Sequence, residues 1–264
     1  MAKRERWVIK AGSNMVCSGG PLLLRAWMQQ VSILRKKHGI DVIWVTSGAI
    51  ASAVERTGIQ RRGKLDEKQA LSAIGQPLVM DLYLLSLQAF GLLGAQILLT
   101  YDDLAHKDRR KNFQNTVNRL IDWDVVPVLN ENDAVATEEI RFGDNDSLSA
   151  KVAHTAGAAR LVILTDVAGL YDSDPRSNPR AKLVPRIEGV SKSLLSQVGK
   201  SPGSTKGTGG MYSKLKAAGE AAANGIDTYL VRGDVHNVLL SLAEGADAGT
   251  HVCARGAGPK KARR

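Results

Sequence analysis

Cysteine is scarce in this chain: Cys17 and Cys253 stand near opposite ends, with no histidine grouped around either. The sequence therefore supplies neither a disulfide framework nor a zinc-binding cluster, and two free thiols are expected. No apolar run reaches the roughly 18 residues of a membrane span. The opening Met1-Ala2-Lys3-Arg4-Glu5-Arg6 leads straight into the strand-like Trp7-Val8-Ile9 rather than into a signal-peptide core. These absences predict a cytoplasmic protein outside the membrane. No Gly-x-x-x-x-Gly-Lys-Ser/Thr occurs, which excludes a Walker-type phosphate loop. The five histidines, His38, His106, His154, His236 and His251, are scattered, so chemistry built on a histidine base is not expected.

What is present is ordinary for a globular α/β protein: 264 residues, 44% hydrophobic and 23% charged. The formal charge of +10 would suit a nucleic-acid partner. Much of the excess, however, lies in Arg61-Arg62-Gly63-Lys64, Lys107-Asp108-Arg109-Arg110-Lys111 and the tail Lys260-Lys261-Ala262-Arg263-Arg264. Such runs are solvated faces or loose termini, and no nucleic-acid footprint is assigned.

Short apolar runs recur at Trp7-Val8-Ile9, Val42–Val45, Ala95–Leu99, Val125–Leu129, Leu161–Leu164 and Thr228–Val231. They read as parallel strands buried on both faces. Amphipathic stretches lie between them at Leu22–Lys37, Glu67–Phe90, Asn112–Trp123, Ser147–Ala156 and Met211–Asn224. The alternation predicts a three-layer αβα sandwich with a mainly parallel central sheet, spanning residues 1–253 as one domain, with 254–264 as a basic tail or linker. Tyr171 to Lys206, rich in proline and serine, reads as an excursion and loop.

Ligands of such sheets sit beyond the carboxyl ends of the strands. Those ends carry Lys10-Ala11-Gly12-Ser13, Thr46-Ser47-Gly48-Ala49, Asn130-Glu131-Asn132-Asp133 and Thr165-Asp166. Ten residues beyond Asp133 begins a second acidic-amide cluster, Gly143-Asp144-Asn145-Asp146. Carboxylates in the two clusters suit an amino group and amides suit a carboxylate, so together they fit an amino acid. Lys10, next to the bare backbone at Gly12, and Lys214, after Gly207-Thr208-Gly209-Gly210-Met211, fit phosphate oxygens approaching a glycine-rich loop and a helix amino terminus. Ser47 either contacts a ligand or serves only as a helix N-cap. Asp166 either caps or organises a nucleotide loop together with Gly169.

These motifs, in this order and over nearly the whole chain, resemble the amino-acid kinase family. Asn130-Glu131-Asn132-Asp133 with Gly143-Asp144-Asn145-Asp146 resembles its glutamate 5-kinase branch. The resemblance implies Mg2+-dependent phosphoryl transfer from ATP to the side-chain carboxylate of L-glutamate, the entry to proline biosynthesis. Transfer to acetylglutamate or aspartate, or a non-catalytic RNA-binding scaffold, are the alternatives. By matching positions, Lys10 and Lys214 would contact the phosphoryl group, with Asp146 holding both. Ser47, Asn130, Asp133, Asp144 and Asn145 would bind glutamate. Lys10, Gly12, Thr165, Asp166, Thr208, Gly209, Gly210, Met211 and Lys214 would hold the nucleotide. No protein ligand set for a metal is implied. A γ-glutamyl phosphate reductase and a homo-oligomer are the implied partners. Ala11 replaces a familiar leucine, and the branch's C-terminal RNA-binding-like (PUA) domain has no counterpart in the sequence.

Overall fold

The computed structural model describes residues 4–59, 63–136, 145–199 and 210–254. The strands are β1 (Glu5–Ala11), β2 (Ile40–Val45), β3 (Leu93–Leu99), β4 (Val125–Glu131), β5 (Arg160–Thr165), β6 (Arg186–Ile187), β7 (Asp227–Arg232) and β8 (Thr250–Val252). The helices are α1 (Ser13–Lys37), α2 (Ala49–Thr57), α3 (Leu65–Gln88), α4 (Tyr101–Ala105), α5 (Lys107–Asp122), α6 (Asn145–Thr155), α7 (Lys192–Gly199), α8 (Met211–Ala223) and α9 (Val238–Ala243). One sheet runs in the order β3-β4-β2-β1-β5-β7-β8-β6. Its pairings are parallel except that between β7 and β8.

Side chains that alternate along a strand must feed opposite faces, and here each face has its own core. Trp7, Ile9, Val42, Trp44, Val162 and Leu164 pack with residues of α1, α3 and α9. Val8, Ile43, Val45, Leu161 and Ile163 pack with residues of α5, α6 and α8. The result is the expected αβα sandwich. Because β4, β2, β1 and β5 are consecutive parallel neighbours, their carboxyl ends open on one edge, and the four polar strand ends share it.

Two departures from the sequence reading have local causes. Helix α1 begins at Ser13 rather than Leu22, because Gly20 adopts φ 57°, ψ −163° ahead of Pro21 and kinks a helix that continues on both sides. Helix α3 has the length and hydropathy of a membrane span although no uninterrupted apolar run suggested one. Half of its apolar window is buried, with Val79, Met80, Tyr83 and Leu87 in the core, so it is a helix of the fold's interior.

Helix α2 lies against α3 at Gly75, where a Cβ would fall 1.7 Å from the Ala49 carbonyl oxygen and 3.0 Å from the Ala53 nitrogen. Both obstacles are backbone. Alanine gains about 1 kcal/mol in helix propensity over glycine, but overpacking typically costs about 1–3 kcal/mol and here demands that one helix shift. Gly75→Ala is therefore expected to destabilise the protein by about 1–2 kcal/mol in urea unfolding, and a stabilised variant would show that the helices separate freely.

Candidate active site

Lys10 lies on β1 in register with Val45 of β2 and Ile163 of β5. By alternation its side chain leaves the sheet on the face of Val8, the face covered by α6 and α8. Both helices begin there. Asp146, in the first turn of α6, places Oδ1 2.6 Å from the Lys10 Nζ and Oδ2 3.5 Å from the Lys214 Nζ in the first turn of α8. The hydroxyl of Ser213 lies 2.7 Å from Asp146 Oδ2 and 2.9 Å from the Gly210 carbonyl oxygen, and its one hydrogen is shared between these two acceptors. Asp146 is fully buried and Lys10 is 3% exposed.

Burial by itself would raise the Asp146 carboxyl pKa. The adjacent Lys10 and Lys214 ammonium groups, with hydrogen bonds from Lys10 and Ser213, outweigh it and hold the group below the ordinary carboxylate range. The position at a helix amino terminus works in the same direction. Among the described residues two buried cations meet at one carboxylate here, a grouping suited to receive an anion. Gly12 leaves room for one: a Cβ there would stand 3.4 Å from the Lys10 Nζ.

The amides form a connected group next to this centre. Asn145 Nδ2 donates to Asn130 Oδ1 at 2.6 Å and to the carbonyl of Thr46. The Glu131 backbone N–H donates to the same Asn130 oxygen at 3.0 Å, and Asn130 Nδ2 donates to Gln76 Oε1 at 2.7 Å. Thr46 also bonds the Tyr83 hydroxyl at 3.0 Å; burial, the first cause, pushes that phenol up to about 12 against the opposing hydrogen bonds. Asp133 accepts from Ser72 of α3 at 3.4 Å.

The expected residues divide as follows. Lys10, Asp146 and Lys214 meet directly, and Asn130 and Asn145 meet beside them. Asp133 lies at the same strand end. Ser47 is not the N-cap of α2: the cap is Gly48 at φ 103°, a left-handed conformation that suits glycine, and it makes no side-chain capping bond. Thr165 ends β5, its hydroxyl donating to Asp166 Oδ1 at 3.2 Å while its carbonyl accepts from the Gly233 N–H at 2.9 Å. Gly210 is the extended N-cap of α8 and Met211 its first residue. Asp144, Thr208 and Gly209 lie outside the described residues. Ser213, Thr46, Ser72 and Gln76 were given no role from sequence. Ser213 sits inside a recognisable motif and could have been named, whereas Gln76 is a mid-helix residue with no local signal.

A mainly parallel sheet whose open edge carries two lysines tied to one buried carboxylate defines a phosphoryl-transfer scaffold. Residues 5–232 match the amino acid kinase family, and the chain belongs to that family. It is 42% identical over 253 residues to a glutamate 5-kinase of Hydrogenovibrio crunogenus, covering 94% of this chain and 67% of that protein. A glutamate 5-kinase of Thermus thermophilus is 44% identical over 255 residues, covering 95% and 68%. The crystal structure of UMP kinase from Ureaplasma parvum superposes with a TM-score of 0.60 at 18% identity, over 95% of this chain and 99% of that one, a likeness of fold.

The lowered Asp146 pKa has a definite consequence for stability. A carboxyl whose folded pKa lies below its unfolded value contributes stability that is complete above the unfolded pKa, near 4, and is lost as the pH falls through the folded one. Asp146→Asn removes the buried carboxylate that Lys10 and Lys214 share, a loss on the order of 3–5 kcal/mol. Urea unfolding from about pH 7 to 2 should show a less stable variant with a shallower acid slope than wild type. Equal slopes would mean that Asp146 is not held ionised by its lysines as described.

Proposed function

We propose that the chain transfers the terminal phosphoryl group of ATP to the side-chain carboxylate of L-glutamate, giving L-glutamyl 5-phosphate, with Lys10, Asp146 and Lys214 as its catalytic centre. The observation that carries this reading is the meeting of two buried lysines at Asp146, next to a cluster of amides. A glutamate carboxylate is already ionised at neutral pH, so no general base is needed. The difficulty is to bring one anion against another. Lys10 and Lys214 meet it by offering charge where the equatorial oxygens of the transferring group develop theirs. Asp146 keeps both ammonium groups aimed at that point, and Ser213 fixes the Asp146 carboxylate.

The rest of the edge divides between the two substrates. Asp133 and Asn145 receive the amino acid, with Ser47, Asn130 and Asp144 completing its site. Gly12, Thr165, Asp166 and the loop and helix start at Thr208, Gly209, Gly210 and Met211 hold the nucleotide, whose phosphates meet backbone N–H groups at the start of α8. Among the described residues no three His, Cys, Asp or Glu side chains group as a metal site, and the Asp146 carboxylate is occupied by its lysines. This donor set suits Mg2+ carried on phosphate oxygens and water rather than in a protein cage. When bound, the ion supplies further neutralisation of the phosphates. The product, an acyl phosphate, requires prompt consumption by a reductase. We also assign residues 1–253 to the kinase unit and 254–264 to a basic tail, working in the cytoplasm as a homo-oligomer.

The test is a hydroxamate assay, which traps an acyl phosphate, run with ATP-Mg2+ and either L-glutamate or N-acetyl-L-glutamate. Glutamate is expected to give product and acetylglutamate little, because acetylation removes the charge that pairs with Asp133. Asp133→Asn should raise KM for glutamate by about tenfold or more, on the scale of a charged hydrogen bond, with KM for ATP nearly unchanged. Comparable turnover of the two acceptors, or equal shifts in both KM values, would contradict the assignment.

A further inference from the structure

The amides beside the catalytic centre can be given a direction, because backbone groups fix it at two points. The Thr46 carbonyl can only accept, so the Asn145 group facing it is Nδ2. The Glu131 N–H can only donate, so the Asn130 atom facing it is Oδ1. It follows that Asn130 presents Nδ2 to Gln76, and that the Gln76 atom 2.7 Å away is Oε1. The other end of that amide, Gln76 Nε2, is a donor of two hydrogens. Gln76 is only 8% exposed. No acceptor for Nε2 occurs among the described residues, yet the nitrogen is not one of the polar atoms sealed from solvent without a partner. A donor held this way, with its orientation imposed through Asn130 and the backbone groups that fix it, and with its nitrogen not sealed from solvent, is prepared for an anionic acceptor.

Its neighbours say which anion. One turn earlier on α3, Ser72 donates to Asp133 at 3.4 Å, and residues four apart on a helix stand side by side, about 5–6 Å between Cβ atoms. Asp133, held against α3 by Ser72, thus offers a carboxylate for an ammonium group, and Gln76 on the same face of α3 offers an amide N–H for a carboxylate. That pair matches the head group of an α-amino acid. At the other end of the relay, Asn145 adjoins Asp146, where the phosphoryl group is received. Resting on the glutamate reading above, we infer that Gln76 is a substrate-binding residue whose Nε2 holds the α-carboxylate of glutamate, so that the side-chain carboxylate is the one left to reach Lys10 and Lys214. Gln76 therefore decides which of the substrate's two carboxylates reacts, and Asn130 acts as the positioning residue that orients it.

The decisive variant is Gln76→Glu, assayed near pH 8. It retains an oxygen that can accept from Asn130 Nδ2 but replaces the donor with a second anionic oxygen, so a merely supporting role would survive it. KM for L-glutamate should rise about tenfold to a hundredfold, the scale of losing a hydrogen bond to a charged group, while KM for ATP stays within about twofold. The inhibition constant of 4-aminobutanoate, which is glutamate without its α-carboxylate, should also stay within about twofold. Gln76→Met should show the same selectivity with a smaller loss and serves if the glutamate variant does not fold. An unchanged KM for glutamate, or equal weakening of glutamate and 4-aminobutanoate, overturns the inference while leaving glutamate as substrate. Failure of the wild-type enzyme to form hydroxamate from glutamate overturns both.

Discussion

Asp146 is the constraint on which the site depends. A carboxylate with no exposed surface is tolerable only because Lys10 and Lys214 reach it from separate elements, one from the second-from-last position of β1 and the other from the first turn of α8. Bringing three charges out of water costs several kcal/mol per ion, and their mutual attraction offsets it only where geometry is good and the remaining lone pairs are satisfied. Ser213 supplies part of that satisfaction. On the proposed function, a phosphoryl group approaching this point would meet two ammonium groups held by one carboxylate.

The sheet makes the centre possible through a simple parity. Val8 and Lys10 leave β1 on the same face, and that face is roofed by α6 and α8, whose first turns carry Asp146 and Lys214. On the opposite face, α3 packs through Val79 and Tyr83 and reaches the same edge with Ser72 and Gln76. The two layers are joined across the strand ends by the Gln76, Asn130 and Asn145 amides, and on the proposed function substrate recognition would fall to one layer and phosphoryl transfer to the other. The close approach of α2 to α3 at Gly75 ties the Ser47-Gly48 turn to the layer that reads the amino acid.

Much of this was legible in the chain. The six long strands follow from apolar runs buried on both faces, and the meeting of Lys10, Lys214 and Asp146 is the contact that the family resemblance implied. The start of α1 was hidden because Gly20 and Pro21 look like a helix break when they mark only a kink. The short β6 and β8 escaped because two or three residues carry no period. α3 looked amphipathic but not span-like, since its apolar residues are spread over 24 positions rather than run together. Gln76 could not be found at all: it lies 54 residues from Asn130, and only the folded sheet edge brings the two amides together.

On the proposed function, Asp146 acts on the chemical step by holding two lysines at the transferring phosphoryl group. The most direct measurement is the single-turnover rate of glutamyl phosphate formation by Asp146→Asn, at saturating glutamate and ATP-Mg2+ and under conditions where the variant is folded, with glutamate binding followed in parallel by calorimetry. The account predicts a rate lower by about a hundredfold or more, the scale of losing one preorganised electrostatic element, with glutamate affinity nearly unchanged. A near-normal single-turnover rate, or a loss confined to glutamate binding, would contradict it.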